Sequence, residues 1–122
     1  MKFLVLSKDA AETLRTPPTP ERMAAIGAFM AEASAAGVIF LTGAVRPAEA
    51  AVTISYAGGK RTVTDGPYAE AKELVAGFAI IDVPSVEEAV SWVSRFAEAA
   101  GVGESEIREL FVYGPNPGPA QA

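Results

Sequence analysis

The chain opens with KFLVLS, residues 2–7, where Phe3 and Val5 face one way along an extended backbone and Leu4 and Leu6 the other. Apolar side chains on both faces predict a strand covered from both sides. Residues 8–18 turn polar and close on Thr16-Pro17-Pro18, a loop. Thr19-Pro20-Glu21 then reads as a helix start, with Thr19 as N-cap, Pro20 at the first helical position and Glu21 in the first turn. Met23, Ile26, Phe29, Met30 and Ala33 recur at helical spacing and predict one buried face. Gly37 is the natural stop.

Val38 to Leu41 reads as a second strand, which Arg46-Pro47 ends. VTISY, residues 52–56, alternates with one apolar face. Ala57-Gly58-Gly59 reverses the chain, and residues 60–64 return as the hairpin partner. GFAIIDV, residues 77–83, is apolar on both faces apart from Asp82. Ser85-Val86-Glu87-Glu88 has the S-x-x-E form of a capping box. The helix it opens carries Val86, Ala89, Val90, Val93, Phe96 and Ala97 as a stripe, with Trp92 beside it, and Gly101 ends it. IRELFVY, residues 107–113, is the last strand. The Gly- and Pro-rich segment after it, 115–122, reads as a disordered tail to a single domain over 1–114.

The order strand, helix, strand, hairpin, strand, helix, strand is an α+β, ferredoxin-like β-α-β-β-α-β plan with an inserted β-hairpin. Two helices cover one face of such a sheet. The strands offer apolar residues to both faces, so a second copy of the sheet is expected against the other, as a homodimer.

Composition narrows the chemistry. The chain has 122 residues, half of them hydrophobic, enough for one domain with its own core. It has no cysteine and no histidine. Disulfides, thiolate nucleophiles and Ser-His-Asp or Cys-His catalysis are therefore excluded, and no metal or cofactor is expected. Ten basic residues lie scattered among fifteen acidic ones, for a formal net charge of −5, which offers nucleic acid no footprint. The apolar run at the N-terminus is too short for a membrane span, and the expectation is a cytoplasmic protein.

DGPYAEAKE, residues 65–73, resembles the DGPFAETKE signature of the DGPF family within the YCII-related group, differing at Tyr68 and Ala71. The likeness extends to the helix ending in AAG, the Arg46-Pro47 turn, Gly77-Phe78 and SVEEA at residues 85–89. It implies a dimeric α/β barrel, two ferredoxin-like subunits with their sheets face to face. Relatives are proposed to use a His-Asp pair at a pocket. With no histidine here, only Asp65 is left as a counterpart. The resemblance also implies a sigma-factor context, regulatory in kind.

The motif has two readings. Asp65-Gly66-Pro67 is a turn whose aspartate binds nearby N–H groups, or it is a stiff frame holding a carboxylate at a pocket. Tyr68 is a plug over the sheet edge or a pocket wall. Glu70, Lys72 and Glu73 are a solvated face or a pocket mouth, with Lys72 placed to hold an anion. Arg46 is an ordinary ion-pair residue or an anion contact. Trp92 and Tyr113 read as packing residues. Three functions remain: a small-molecule binding protein with Arg46, Asp65, Tyr68, Glu70 and Lys72 at its pocket, an enzyme with Asp65 as acid or base, or a dimeric scaffold for a protein partner.

Overall fold

The computed structural model describes residues 1–10, 16–45, 51–65 and 73–113. The elements run β1 (Lys2–Ala10), α1 (Pro20–Ala35), β2 (Ile39–Ala44), β3 (Val52–Ala57), β4 (Lys60–Asp65), β5 (Glu73–Asp82), α2 (Val86–Ala100) and β6 (Glu104–Leu110). A four-stranded sheet has the order β2-β5-β1-β6, antiparallel throughout, and β3-β4 pair as a separate two-stranded ribbon. This is the α+β, ferredoxin-like arrangement with an inserted hairpin.

Local chemistry sets the element ends. Thr19 caps α1, its hydroxyl accepting from the Arg22 N–H at 3.2 Å, with Pro20 in the first turn. Ser85 does the same for α2, accepting from the Glu88 N–H at 3.2 Å. Gly101 ends α2 in the left-handed region, at φ 70°, where a side chain would clash with its own backbone. Gly58 and Gly59, at φ 58° and 76°, form the two-residue turn whose twist matches the hairpin.

Three strands differ in extent from the apolar pattern. β1 runs on through Ser7-Lys8-Asp9-Ala10 because these residues find partners in β5, across a bulge after Ser7. β5 starts at Glu73 rather than Gly77 for the same reason. β6 is Glu104–Leu110, and Phe111, Val112 and Tyr113 lie exposed beyond the ladder. Lys2 to Lys8 pair with residues 104–110, so register sets the strand's place. The tail at 115–122 lies outside the described residues.

The core lies between the sheet and the helices: Phe3 and Val5 of β1, Ile81 of β5, Phe29 and Ala33 of α1, Ala89 and Val93 of α2, with Val38 and Val83. The stripe expected on α1 is narrower than its spacing suggests. Phe29 and Ala33 are buried, whereas Met23 is 60% exposed. On α2, Val86 and Val90 are exposed, while Trp92 and Phe96 pack against the core. The other sheet face carries Leu4, Leu6, Phe78 and Ile80, half-buried, and Leu41, half exposed. Among the described residues no helix is long and apolar enough to cross a membrane.

Candidate functional site

Directly opposed residues of an antiparallel ladder share a face. On the helix side this arranges side chains in rows across the sheet. Ile39, Ile81 and Phe3 form a bulky row. Thr42, Ala79, Val5 and Ile107 form a middle row. Ala44, Gly77, Ser7 and Ser105 form a row with no large side chain. The sheet floor therefore falls away toward one end, and the helices do not follow it down. A cavity of about 270 Å³ occupies the difference.

Its roof is aromatic. Phe29 of α1 meets Trp92 of α2 edge to face, centroids 5.9 Å apart, and Phe96 at 5.7 Å. Arg95 closes the roof from outside. Its guanidinium lies 4.9 Å from the Trp92 ring and 5.5 Å from Phe29, and it is ion-paired with Glu32 of α1 at 2.7 Å. The charge tethers the two helices over the aromatics without entering the cavity.

The lining is apolar. Among the described residues no Asp, Glu, Lys or Arg faces it, and its polar side chains are Ser7 and Thr42. The Thr42 hydroxyl donates to the Phe78 carbonyl at 3.2 Å. Ser7 is 9% exposed and makes no hydrogen bond through its hydroxyl to the described residues. Ser105 Oγ, across the ladder, is buried with no partner. The backbone approaches closely here: a Cβ on Gly77 would lie 3.1 Å from the Gly43 carbonyl oxygen.

The cavity reaches Ala44, the last residue of β2, and Ala76, within β5. Of the residues singled out in the sequence, Asp65 is described: it closes β4, opposite Val52, is exposed, and does not line the cavity. Arg46, Tyr68, Glu70 and Lys72 lie outside the described residues. Glu73, placed with them by its charge, opens β5 opposite Ala10. The sequence reading missed Ser7 and Ser105. Ser7 was available from alternation, since it continues the inward face of Phe3 and Val5. Ser105 needs the β1-β6 register. Trp92 is a packing residue that also lines the cavity, whereas Tyr113 is exposed.

The outer face bears a charged cluster on β1 and β6. Glu106 accepts from Lys8 at 2.5 Å and from Arg108. These bonds, Lys8 first, hold the Glu106 carboxyl below its ordinary value, against a smaller opposing effect of burial. Among the described residues, no group of three or more His, Cys, Asp or Glu gathers as a metal site.

Fold and site together define a ferredoxin-like α+β domain with an apolar cavity between its sheet and its helices. The chain belongs to the YCII-related domain family, whose model matches residues 1–112. It is 39% identical over 70 residues to an uncharacterised protein of Rhizobium meliloti (strain 1021), across 57% of this chain and 56% of that protein. The chain thus spans about half the length of the curated relative it matches.

Proposed function

We propose that this protein is a small-molecule binding protein, acting as a homodimer, whose ligand occupies the cavity between sheet and helices. The observation that carries this reading is the row Ala44, Gly77 and Ser7, which lines a cavity of about 270 Å³ beneath aromatic side chains. Interiors are otherwise close-packed, and a void of this size loses contacts on every wall. A ligand restores them. Thr42 and Ala44 are exposed as well as lining, so the entrance lies at the β2 edge. In this reading Arg46, Asp65, Tyr68, Glu70 and Lys72, the residues that the sequence singles out, are further ligand contacts. A cytoplasmic, regulatory setting beside a sigma factor fits a protein that responds to a small molecule.

Thermal unfolding with and without toluene tests the pocket. Toluene near saturation should raise the midpoint of the wild-type protein, because a ligand that binds the folded state alone stabilises it. In Ala79→Leu, which fills the cavity from the sheet side, that rise should vanish. A wild-type midpoint that toluene leaves unmoved would remove the reading.

A further inference from the structure

One hydroxyl at the floor of the cavity, that of Ser7, is free to meet a ligand, and this says what the ligand carries. Ser7 is more than nine-tenths buried, lines the cavity and spends its hydroxyl on no described residue. Ser105, opposite it across β1 and β6 but outside the cavity lining, is half-buried with its Oγ unpaired. A buried polar group without a hydrogen bond is costly, and native structures hold few of them. Thr42 shows the contrast, since its hydroxyl is taken up by a carbonyl of the neighbouring strand.

We infer that the cavity takes a neutral, flat, two-ring aromatic molecule carrying one hydroxyl or carbonyl group, which hydrogen-bonds to Ser7. The inference rests on the pocket reading above and adds the ligand's chemistry. Size comes from the volume: about 270 Å³ is nearly twice the roughly 150 Å³ apolar cavity that accommodates a single benzene ring. Shape comes from the roof of Phe29, Trp92 and Phe96, whose tilted rings offer edges and faces to a flat guest. Neutrality comes from the lining. No charged side chain of the described residues faces the cavity, so an ion would lose its hydration with nothing to replace it. The polar group comes from Ser7, which both donates and accepts, so hydroxyl and carbonyl oxygen fit equally.

Calorimetric titration of the full chain at pH 7 tests this with three ligands of one shape: 2-naphthol, 2-methylnaphthalene and 2-naphthoate. The expected order is 2-naphthol at least ten-fold tighter than 2-methylnaphthalene, with 2-naphthoate weakest. In Ser7→Ala, 2-naphthol and 2-methylnaphthalene should converge while 2-methylnaphthalene keeps its wild-type affinity. Equal wild-type affinities for those two, a preference that survives Ser7→Ala, or tighter binding of 2-naphthoate would each overturn the inference. If toluene binds and the preference for 2-naphthol is missing, the ligand class falls and the pocket stands. If none of the aromatic probes binds, both fall. The wild-type comparison alone decides the matter should Ser7→Ala fail to fold.

Discussion

The ring of Phe78 lies against the backbone of Gly43, its partner across β2 and β5: a β-carbon on Gly43 would come within 2.9 Å of two ring carbons. The glycine is there for the approach. Gly43→Ala should displace the ring and destabilise the fold by about 1–3 kcal/mol, the usual range for overpacking. Denaturant unfolding measures it. A variant as stable as wild type would mean that the ring swings aside freely.

Arg22 of α1 reaches across to the end of α2, donating to the Glu98 and Ala99 carbonyls at 3.4 and 3.3 Å. Those carbonyls have no partner within the helix, and a cation suits that end of the dipole. A Cβ on Gly101 would collide with the Arg22 guanidinium, in a backbone at φ 70°. Gly101→Ala should therefore cost more than the roughly 1–2 kcal/mol of the left-handed conformation alone. Arg22→Ala alone should cost less. In the double variant the two losses should sum to more than is measured, because Gly101→Ala already dislodges the arginine. Strict additivity would show that the two residues act independently.

Much of the fold is legible in the chain because caps, turns and alternation are local. Thr19, Ser85, Gly101 and Gly58-Gly59 mark their boundaries from a few neighbouring residues. What was not legible depends on register. The polar residues Lys8 and Asp9 become strand, and Phe111 to Tyr113 do not, because β1 has partners for 73–75 and 104–110. The cavity depends on register too. Ala44, Gly77 and Ser7 are unremarkable where they stand in the sequence, and only side by side do they leave a floor without a large side chain. The motif at 65–73 is rich in charge, whereas the cavity lining among the described residues is apolar.

Acid should weaken the fold partly through Glu106. Its folded carboxyl lies below 4.5, held there first by Lys8 and then by Arg108. A lowered folded value means the unfolded chain takes up the proton first as pH falls. The contribution is therefore full above the unfolded value and lost as pH drops through the folded one. Thermal midpoints from pH 7 to 2.5 should decline less steeply below about pH 4.5 in Glu106→Gln than in wild type. Parallel curves would show the cluster to be screened out.

Asp65 separates a hairpin residue from a site residue. It is exposed at the end of β4, where a charge-preserving neighbourhood is not needed for folding. Asp65→Asn should leave stability within about 0.5 kcal/mol of wild type, as exposed substitutions do. If the residue borders the cavity entrance, the same variant should change the association rate of 2-naphthol and leave its dissociation rate alone. A stability loss of about 1–2 kcal/mol with unaltered binding would make Asp65 a turn residue instead.

The outer sheet face decides the oligomer. Leu4 and Leu6 of β1 stand opposite Ile80 and Phe78 of β5, and Leu41 of β2, opposite Ile80, is 50% exposed. The helices cover the reverse face, so a lone chain would present this patch to water, larger than the scattered apolar residues of an ordinary surface. The patch is flanked on β6 by Glu106 and Arg108, opposite Leu6 and Leu4. An apolar centre with a charged margin is the pattern of a subunit interface. Sedimentation at micromolar concentration should give twice the monomer mass, with an interface of roughly 2,000 Å² or more, the obligate class. Ile80→Glu places a charge at its centre and should give a monomer that is less stable than the dimer, since burying an unpaired charge is not an option and exposing the patch is unfavourable. Wild-type protein sedimenting as a stable monomer would leave the apolar outer face without a reason.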